Sequence, residues 1–316
     1  MDISVVILSW NDKRYLEECL QSLVNCTKSR TVEIIVVDNA STDGSPEMVS
    51  TNFPTVKLIR NRENLGFPKG NNVGIQAATG KYLFLLNSDI KVLDGCFDAL
   101  ADYLDAQPDV GMVGPKILNA DMTHQSSCRR FPMLWNNFCM LNGLSGMFKK
   151  SRFFSGEHMF YFEGDQLMDV DVLVGCFWAL RRAALDNFGM LDEGFFMYAE
   201  DVDWCKRCWK SGWRVVFFPD ARAIHYRGGS SAKQDPIWLA LTQQRSTLRY
   251  WRKHHGLPGV LAISVLIFLS KLIRCALACI NYLSRPSKRD DSRQRLRIAG
   301  ASLLALFSRN ANYKQI

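Results

Sequence analysis

The sequence predicts an α/β chain: a mostly parallel sheet with helices on both faces, followed by a helical C-terminal appendage. Three observations carry this. Short apolar runs alternate with segments of helical spacing from the N-terminus onward, the pattern of parallel strands joined by crossover helices. Two of those runs end in an aspartate, Asp38 and Asp89. Ligands of an open parallel sheet bind beyond the carboxyl ends of its strands, so both acids are expected on one crevice. Third, the charge is uneven: residues 241–316 hold fourteen Lys/Arg and only Asp290 and Asp291, within a formal net charge of +8.

Ile3–Leu8 is expected as a buried strand, and Leu16, Cys19, Leu20 and Leu23 mark a helix over residues 13–24. Glu33–Val37 is the next strand, and Ser45-Pro46 places proline at a helix start. Val56–Ile59, a helix near Asn71–Ala78, the strand Tyr82–Leu86 and a helix over Leu93–Ala106 continue the alternation. From about 115 to 170 the pattern loosens. Residues 131–160 are rich in Phe, Met and Trp without a clear period, and are expected to cover the sheet with some substrate contact. Val170–Val174, Phe177–Leu180, a helix over Asp201–Ser211, Val215–Pro219 and a helix over about 236–255 restore regular structure.

The expected division is an α/β domain over 1–234, in two halves of about 1–115 and 116–234, then a basic helical segment over 235–316. With 316 residues and 47% apolar content, the chain can bury a large core. Met1-Asp2 runs directly into the first strand, so no secretory signal is expected. Ten cysteines in this length suit buried, reduced thiols better than a disulfide framework. Cys205 and Cys208 lack the second pair that a zinc site needs. No Gly-rich turn follows the first strand, which disfavours hydride transfer. The basic tail lacks interleaved aromatics beyond Tyr282, Phe307 and Tyr313, so no nucleic-acid partner is expected. Val260–Leu269 is a ten-residue apolar run broken only by Ser264, short of the roughly 20 that span a bilayer. With the basic flank Arg285–Arg297 it is expected to lie on an anionic membrane surface, the alternative being packing on protein.

Several motifs carry chemistry, each beside a plainer reading. A carboxylate at Asp38 can accept from a pyrimidine imide, or Asp38-Asn39 can simply turn the chain. Asn64-Leu65-Gly66-Phe67, followed by Gly70-Asn71-Asn72-Val73-Gly74, opens a helix whose amides could hold an anion, or is a plain strand-to-helix turn. Asn87-Ser88-Asp89 supplies hard oxygen ligands of the kind Mg2+ or Mn2+ takes alongside substrate phosphates. Asp89 could equally be a loop residue. Glu200-Asp201-Val202-Asp203 either complements a helix dipole or holds a general base against the aromatic run Gly194-Phe195-Phe196-Met197-Tyr198, where desolvation raises a carboxyl pKa. His225 is structural, or reaches a metal or diphosphate.

Together these motifs, with Ser4-Val5-Val6-Ile7-Leu8-Ser9-Trp10-Asn11 and Leu86-Asn87-Ser88-Asp89, resemble family 2 glycosyltransferases of the GT-A fold, nearest the rhamnosyltransferase-like branch. The resemblance covers about residues 2–228. It implies a Rossmann-like GT-A domain with Trp10, Asn11, Asp38, Asn64, Gly66, Asn71, Asn87 and Ser88 around the donor, Asp38 reading uracil or thymine. It implies Asp89 as the metal-binding acid, with His225 assisting and Mg2+ or Mn2+ as cofactor, and Asp201 as catalytic base. Asn87 stands where the family's motif has its first acid. The implied activity is inverting transfer from a UDP- or dTDP-sugar to a hydroxyl of a saccharide, lipid-linked, in cell-surface polysaccharide synthesis at the inner face of the cytoplasmic membrane. Transfer to polyprenyl phosphate and a non-catalytic nucleotide-sugar binding protein are the alternatives, and a homo-oligomer is left open.

Overall fold

The structure, a computed structural model, describes residues 1–24, 29–226 and 234–307. Residues 227–233, just before the expected boundary, and 308–316 of the expected appendage lie outside the described residues. The elements begin β1 (Ile3–Ser9), α1 (Lys13–Leu23), β2 (Val32–Asp38), α2 (Ser45–Asn52), β3 (Lys57–Arg60), α3 (Phe67–Ala77), β4 (Tyr82–Asn87), β5 (Ile90–Val92), α4 (Cys96–Ala106) and β6 (Val110–Leu118). Then come β7 (Cys128–Arg129), α5 (Leu134–Leu141), α6 (Leu144–Met147), β8 (Met168–Asp169), β9 (Val172–Leu173), β10 (Phe177–Arg181) and α7 (Arg182–Phe188). The series ends with α8 (Glu200–Lys210), β11 (Arg214–His225), α9 (Pro236–Ser284) and α10 (Arg289–Phe307).

One compact unit holds Met1–Phe131, His158–Phe196 and Glu200–Lys233. Its nine-stranded sheet runs β3-β2-β1-β4-β10-β6-β11-β5, with β8 paired to β11. β3, β2, β1 and β4 are parallel to one another, as are β6 and β11, while β10 runs antiparallel between β4 and β6. This is the mostly parallel α/β sheet expected of the GT-A class. β1 shows why a two-residue period builds it. Ile3, Val5 and Ile7 join the core cluster with Leu16, Cys19 and Leu20 of α1 and with Phe97 and Leu100 of α4. Val6 and Leu8 point to the other face and meet glycines of α3. A Cβ on Gly74 would lie 2.3 Å from Val6 Cγ1 and 3.0 Å from Val37 Cγ2. The helix can therefore seat on the strands only because that position lacks a side chain.

Several expectations change. β5, β6 and α7 were not anticipated, and β6 crosses the supposed boundary at 115 from within the sheet. The strand expected over Val170–Val174 is confined to β9, with β8 just ahead of it, and the one expected over Val215–Pro219 continues to His225. The Phe/Met/Trp-rich segment leaves the sheet unit. Residues Pro132–Glu157 group instead with Met197–Ala199 and Gln234–Ile316 in a second unit, so the expected block 1–234 is interrupted. The cysteines of the sheet unit outside the masked stretch are free and buried, with burial pushing the Cys208 thiol up to about 12.

In the second unit, Asp235 caps α9 by accepting from the Ile237 and Trp238 amides, with Pro236 behind it. α9 kinks at Gly256, whose φ of 64° takes the left-handed region. α10 returns along it, and Gln244 Nε2 donates to the Ser302 carbonyl at 2.9 Å. Asn142, at the end of α5, donates to Ser270 Oγ at 3.0 Å. Beyond the kink, Leu257, Leu261, Val265, Leu269, Leu277 and Ile280 are exposed along one arm, while Ile263, Ile267 and Ser270 are buried. The reading of Val260–Leu269 as too short to span needs correction. α9 contains a stretch long and apolar enough to cross a membrane by length and composition, most of it exposed. Lys271 and Arg274 interrupt the apolar run in the sequence, but they do not interrupt the helix.

Gly74→Ala should destabilise the sheet unit by about 1–3 kcal/mol, since the added methyl forces α3 off β1 and β2. Urea denaturation checks this, with a lower midpoint and an unchanged slope expected.

Candidate active site

Strand register sets the site. Ser9 pairs with Asp38 and Leu8 with Asn87. The carboxyl ends of β2, β1 and β4 therefore present Asp38, then Trp10-Asn11-Asp12, then Asn87-Ser88-Asp89 side by side. The outer two lie two strand spacings apart, about 10 Å.

The turn after β2 is knotted to the end of β1. Asn11, with a left-handed φ of 52°, accepts at Oδ1 from the Thr42 amide at 2.7 Å and donates its own amide to Ser41 Oγ at 2.9 Å. The Lys13 amide donates to Asp43 Oδ2 at 2.8 Å. Asp38 is buried and accepts from the Ser41 amide at 3.2 Å, so it shapes the turn whatever else it binds. Asn39 ties this turn to the next loop: its Nδ2 donates to Gly66 O at 3.1 Å and to Asn64 Oδ1 at 3.2 Å, and its Oδ1 accepts from Asn61 at 2.9 Å.

Two amides at the start of α3 are engaged within the protein. Gly66 N–H donates to Asn64 Oδ1 at 2.9 Å and Phe67 N–H to the Phe196 carbonyl at 2.8 Å. Gly66 is needed for a different reason. Its φ is 78°, and a Cβ there would stand 2.6 Å from Phe196 O. Asn71 is buried and donates to Phe67 O at 2.9 Å. Asn72 donates to Leu191 O at 2.9 Å and accepts from its amide at 3.1 Å.

β5 and β11 bring His225 to Asp89. His225 pairs with Ile90 across the antiparallel ladder, the Tyr226 amide donates to Asp89 O at 3.0 Å, and His225 Nε2 stands 3.2 Å from Asp89 Oδ1. Two ligands at right angles around a small octahedral cation, each about 2.1 Å from it, are about 3.0 Å apart, so the pair fits adjacent positions on such an ion. No group of three or more His, Cys, Asp and Glu ligands gathers among the described residues. Ser88 Oγ donates to the buried Asp12 carboxylate at 2.9 Å, and the Asn87 amide donates to Cys176 O at 2.9 Å.

That last bond points to the third acid. Gly175, next to Cys176, lies so that a Cβ on it would be 3.7 Å from Asp201 Cβ. At the start of α8 the acids divide. Asp203 is fully buried and paired with Arg207 at 2.9 Å, and Arg207 donates to Met190 O at 2.7 Å. Trp204 Nε1 donates to Gly189 O at 2.8 Å. Asp203 is therefore a structural residue. Asp201 accepts from the Val202 amide at 2.8 Å. Glu200 is buried, and burial, with the neighbouring Asp201 charge, pushes its carboxyl up to about 8.

Asp12 and Gln125 are contributors that the sequence reading passed over, while Asn39, Asn72 and Glu200 stood within its motifs without a role of their own. Asp12 had the same signal as Asp38, an acid just past an apolar strand. Gln125, beside His225, sits in the stretch without periodicity and had none.

The sequence profile of glycosyl transferase family 2 matches residues 4–189. The chain is 29% identical over 274 residues to the N-acetylglucosaminyl-diphospho-decaprenol L-rhamnosyltransferase of Mycobacterium tuberculosis, covering 80% of this chain and 85% of the relative. It is 24% identical to the dTDP-rhamnosyl transferase RfbF of Shigella flexneri, over 84% of this chain and 85% of that one. Among solved structures, the mannosyltransferase PcManGT of Pyrobaculum calidifontis in complex with GDP-Man and Mn2+ superposes with a TM-score of 0.56 at 17% identity, over 96% of this chain and 86% of that one. S. aureus TarS 1-349 in complex with UDP gives 0.53 at 17% identity, over 95% and 91%. These structures share the fold.

Glu200 gives a signed prediction. Folded, it keeps its proton up to about 8, against an ordinary 4.5. Its burial is therefore fully tolerated below pH 4.5 and becomes a growing cost as pH rises towards 8. Thermal melts of Glu200→Gln against the parent should show the difference in Tm moving in the variant's favour across that window. The gain should be roughly 2–4 °C for each kcal/mol relieved. A pH-independent difference would contradict the buried, proton-holding carboxyl.

Proposed function

This chain belongs to glycosyl transferase family 2, and on that premise we propose that it transfers a sugar, with inversion, from a UDP- or dTDP-activated donor to a hydroxyl of a lipid-linked saccharide. The observation that carries the reading is the chain of contacts linking the strand ends that bear Asp38 and Asp89 to the helix start that bears Asp201. Glycosyl transfer as such rests on the family; the donor, the stereochemistry and the roles below are our proposal.

Asp38, at the far end of the strand edge, accepts from the imide of the pyrimidine. Trp10 and Asn11 flank it, while Asn64, Gly66 and Asn71 form the wall behind the nucleoside. Asn87 and Ser88 follow the diphosphate towards Asp89. Asp201 takes the proton of the acceptor hydroxyl as its oxygen attacks the anomeric carbon. The bond from that carbon to the diphosphate oxygen breaks on the opposite face, and one in-line displacement inverts the centre. A divalent cation, Mg2+ or Mn2+, held by Asp89 and His225, would offset charge on the departing diphosphate. Two relatives named for rhamnosyl transfer support dTDP-rhamnose as the first donor to try, and the decaprenyl-diphosphate in one name supports a polyprenyl-diphosphate-linked acceptor.

Such an acceptor sits at a membrane, and the second unit offers a means of reaching it. The arm after Gly256 exposes an apolar stripe while its opposite face is packed within the unit. Arg285, Lys288, Arg289 and Arg293 follow at its end. An apolar stripe with a cationic end suits an anionic leaflet, on the cytoplasmic side where activated sugars are made.

Asp201→Asn should lower transfer by at least about a hundredfold while leaving UDP or dTDP affinity near the parent's; coupled transfer and calorimetry measure the two. Near-parent turnover would remove Asp201 from the base role. Replacing Leu261, Val265 and Leu269 together by Gln changes only exposed positions, so the fold should persist. Sedimentation with anionic vesicles should then show most of the protein released, and full retention would refute the docking face.

A further inference from the structure

Gln125 stands behind His225. It is buried, on the far side of the imidazole from Asp89. Its Nε2 donates to the main-chain carbonyl of His225 at 3.0 Å and to Asn119 Oδ1 at 2.8 Å. A main-chain carbonyl can only accept, so that end of the carboxamide must be the NH2 group. Its other end, Oε1, is 2.7 Å from His225 Nδ1. An amide oxygen can also only accept, so Nδ1 must carry the hydrogen. The two nitrogens of a neutral imidazole hold one proton between them, which leaves Nε2 as a bare lone pair. That lone pair faces Asp89 Oδ1 at 3.2 Å. Two acceptors directed at one another are unfavourable alone; a proton between them or a divalent cation shared between them removes the repulsion.

We propose that Gln125 is the positioning residue that makes His225 a metal ligand: by fixing the Nδ1–H tautomer it presents the Nε2 lone pair, with the Asp89 carboxylate, to a divalent cation of the Mg2+ or Mn2+ type. The proposal rests on the metal reading of Asp89 and His225 above, and adds the residue that sets it. The same arrangement explains how one carboxylate and one imidazole can suffice although Asn87 occupies a position where a second acid is expected. Outer-shell partners that orient a ligating histidine typically govern metal affinity by about 10–100-fold. Gln125 is well fitted to such a role because two further acceptors lock its own orientation.

Two measurements test this. Isotope-labelled histidine NMR of the full chain in alkaline buffer reads the tautomer without any change at Gln125, the His225 signal being identified by its loss in His225→Asn. Protonated Nδ1 and unprotonated Nε2 are expected; the reverse pattern overturns the proposal. Paramagnetic resonance of free Mn2+ then gives affinity without nucleotide or turnover. Gln125→Met should weaken Mn2+ binding about 10–100-fold and, in the same NMR measurement, abolish the preference of His225 for protonated Nδ1. Parent-like binding by Gln125→Met, with His225→Asn weakened, overturns the role of Gln125 and leaves the metal reading intact. Parent-like binding by His225→Asn removes His225 from the metal site, and the proposal falls with it.

Discussion

The register of β1 between β2 and β4 is the constraint from which the site follows. Because Ser9 faces Asp38 and Leu8 faces Asn87, three loops leave the sheet at the same height, and their first polar residues share one edge. A slip of a single residue would turn Ile3, Val5 and Ile7 away from α1 and α4. The burial of that face therefore holds the acids in place. The glycines of α3 complete the lock from the other side, since Val6 and Leu8 occupy the space where its side chains would otherwise stand.

Carboxamides, more than charges, build the frame around the acids. Asn11, Asn39, Asn64, Asn72 and Gln125 each join segments distant in sequence or fold a turn on itself. A carboxamide both donates and accepts and carries no charge, so it can satisfy main-chain groups on both sides of a buried loop at less desolvation cost than an acid. At the end of β4 the main-chain amide of Asn87 anchors to Cys176 O, and the Asp89 carboxylate turns to His225.

Much of this was legible beforehand, and the reasons for the rest are specific. β1, β2, β4 and α1 announce themselves because burial on one or both faces forces apolar periodicity. β6 does not, since Gly111, Gly114 and Pro115 read as loop residues. Yet Gly114 lies where a Cβ would be 2.8 Å from Leu173, so glycine there answers to close packing. The aromatic segment after Phe131 could not be placed, because its partners, such as Ser270 for Asn142, lie more than a hundred residues away. Asp38, Asp89 and Asp201 were visible as acids at strand or helix ends. Gln125 was invisible, because its importance lies wholly in the atoms it faces.

The acidic cluster opening α8 shows how packing turns a composition into separate tasks. Three acids within four residues would repel one another if all were charged alike in a dry setting. Asp203 has Arg207 beside it and is thereby tied to the carbonyls at the end of α7. Glu200 is buried deeply enough that its proton stays on well above the usual carboxylate range. With Asp203 compensated by Arg207 and burial favouring the protonated form of Glu200, the negative charge beside Asp201 is lowered. Dipole complementarity at the helix start accounts for acids there in general, but it would treat all three positions alike. Burial and pairing distinguish them, and those come from the tertiary fold.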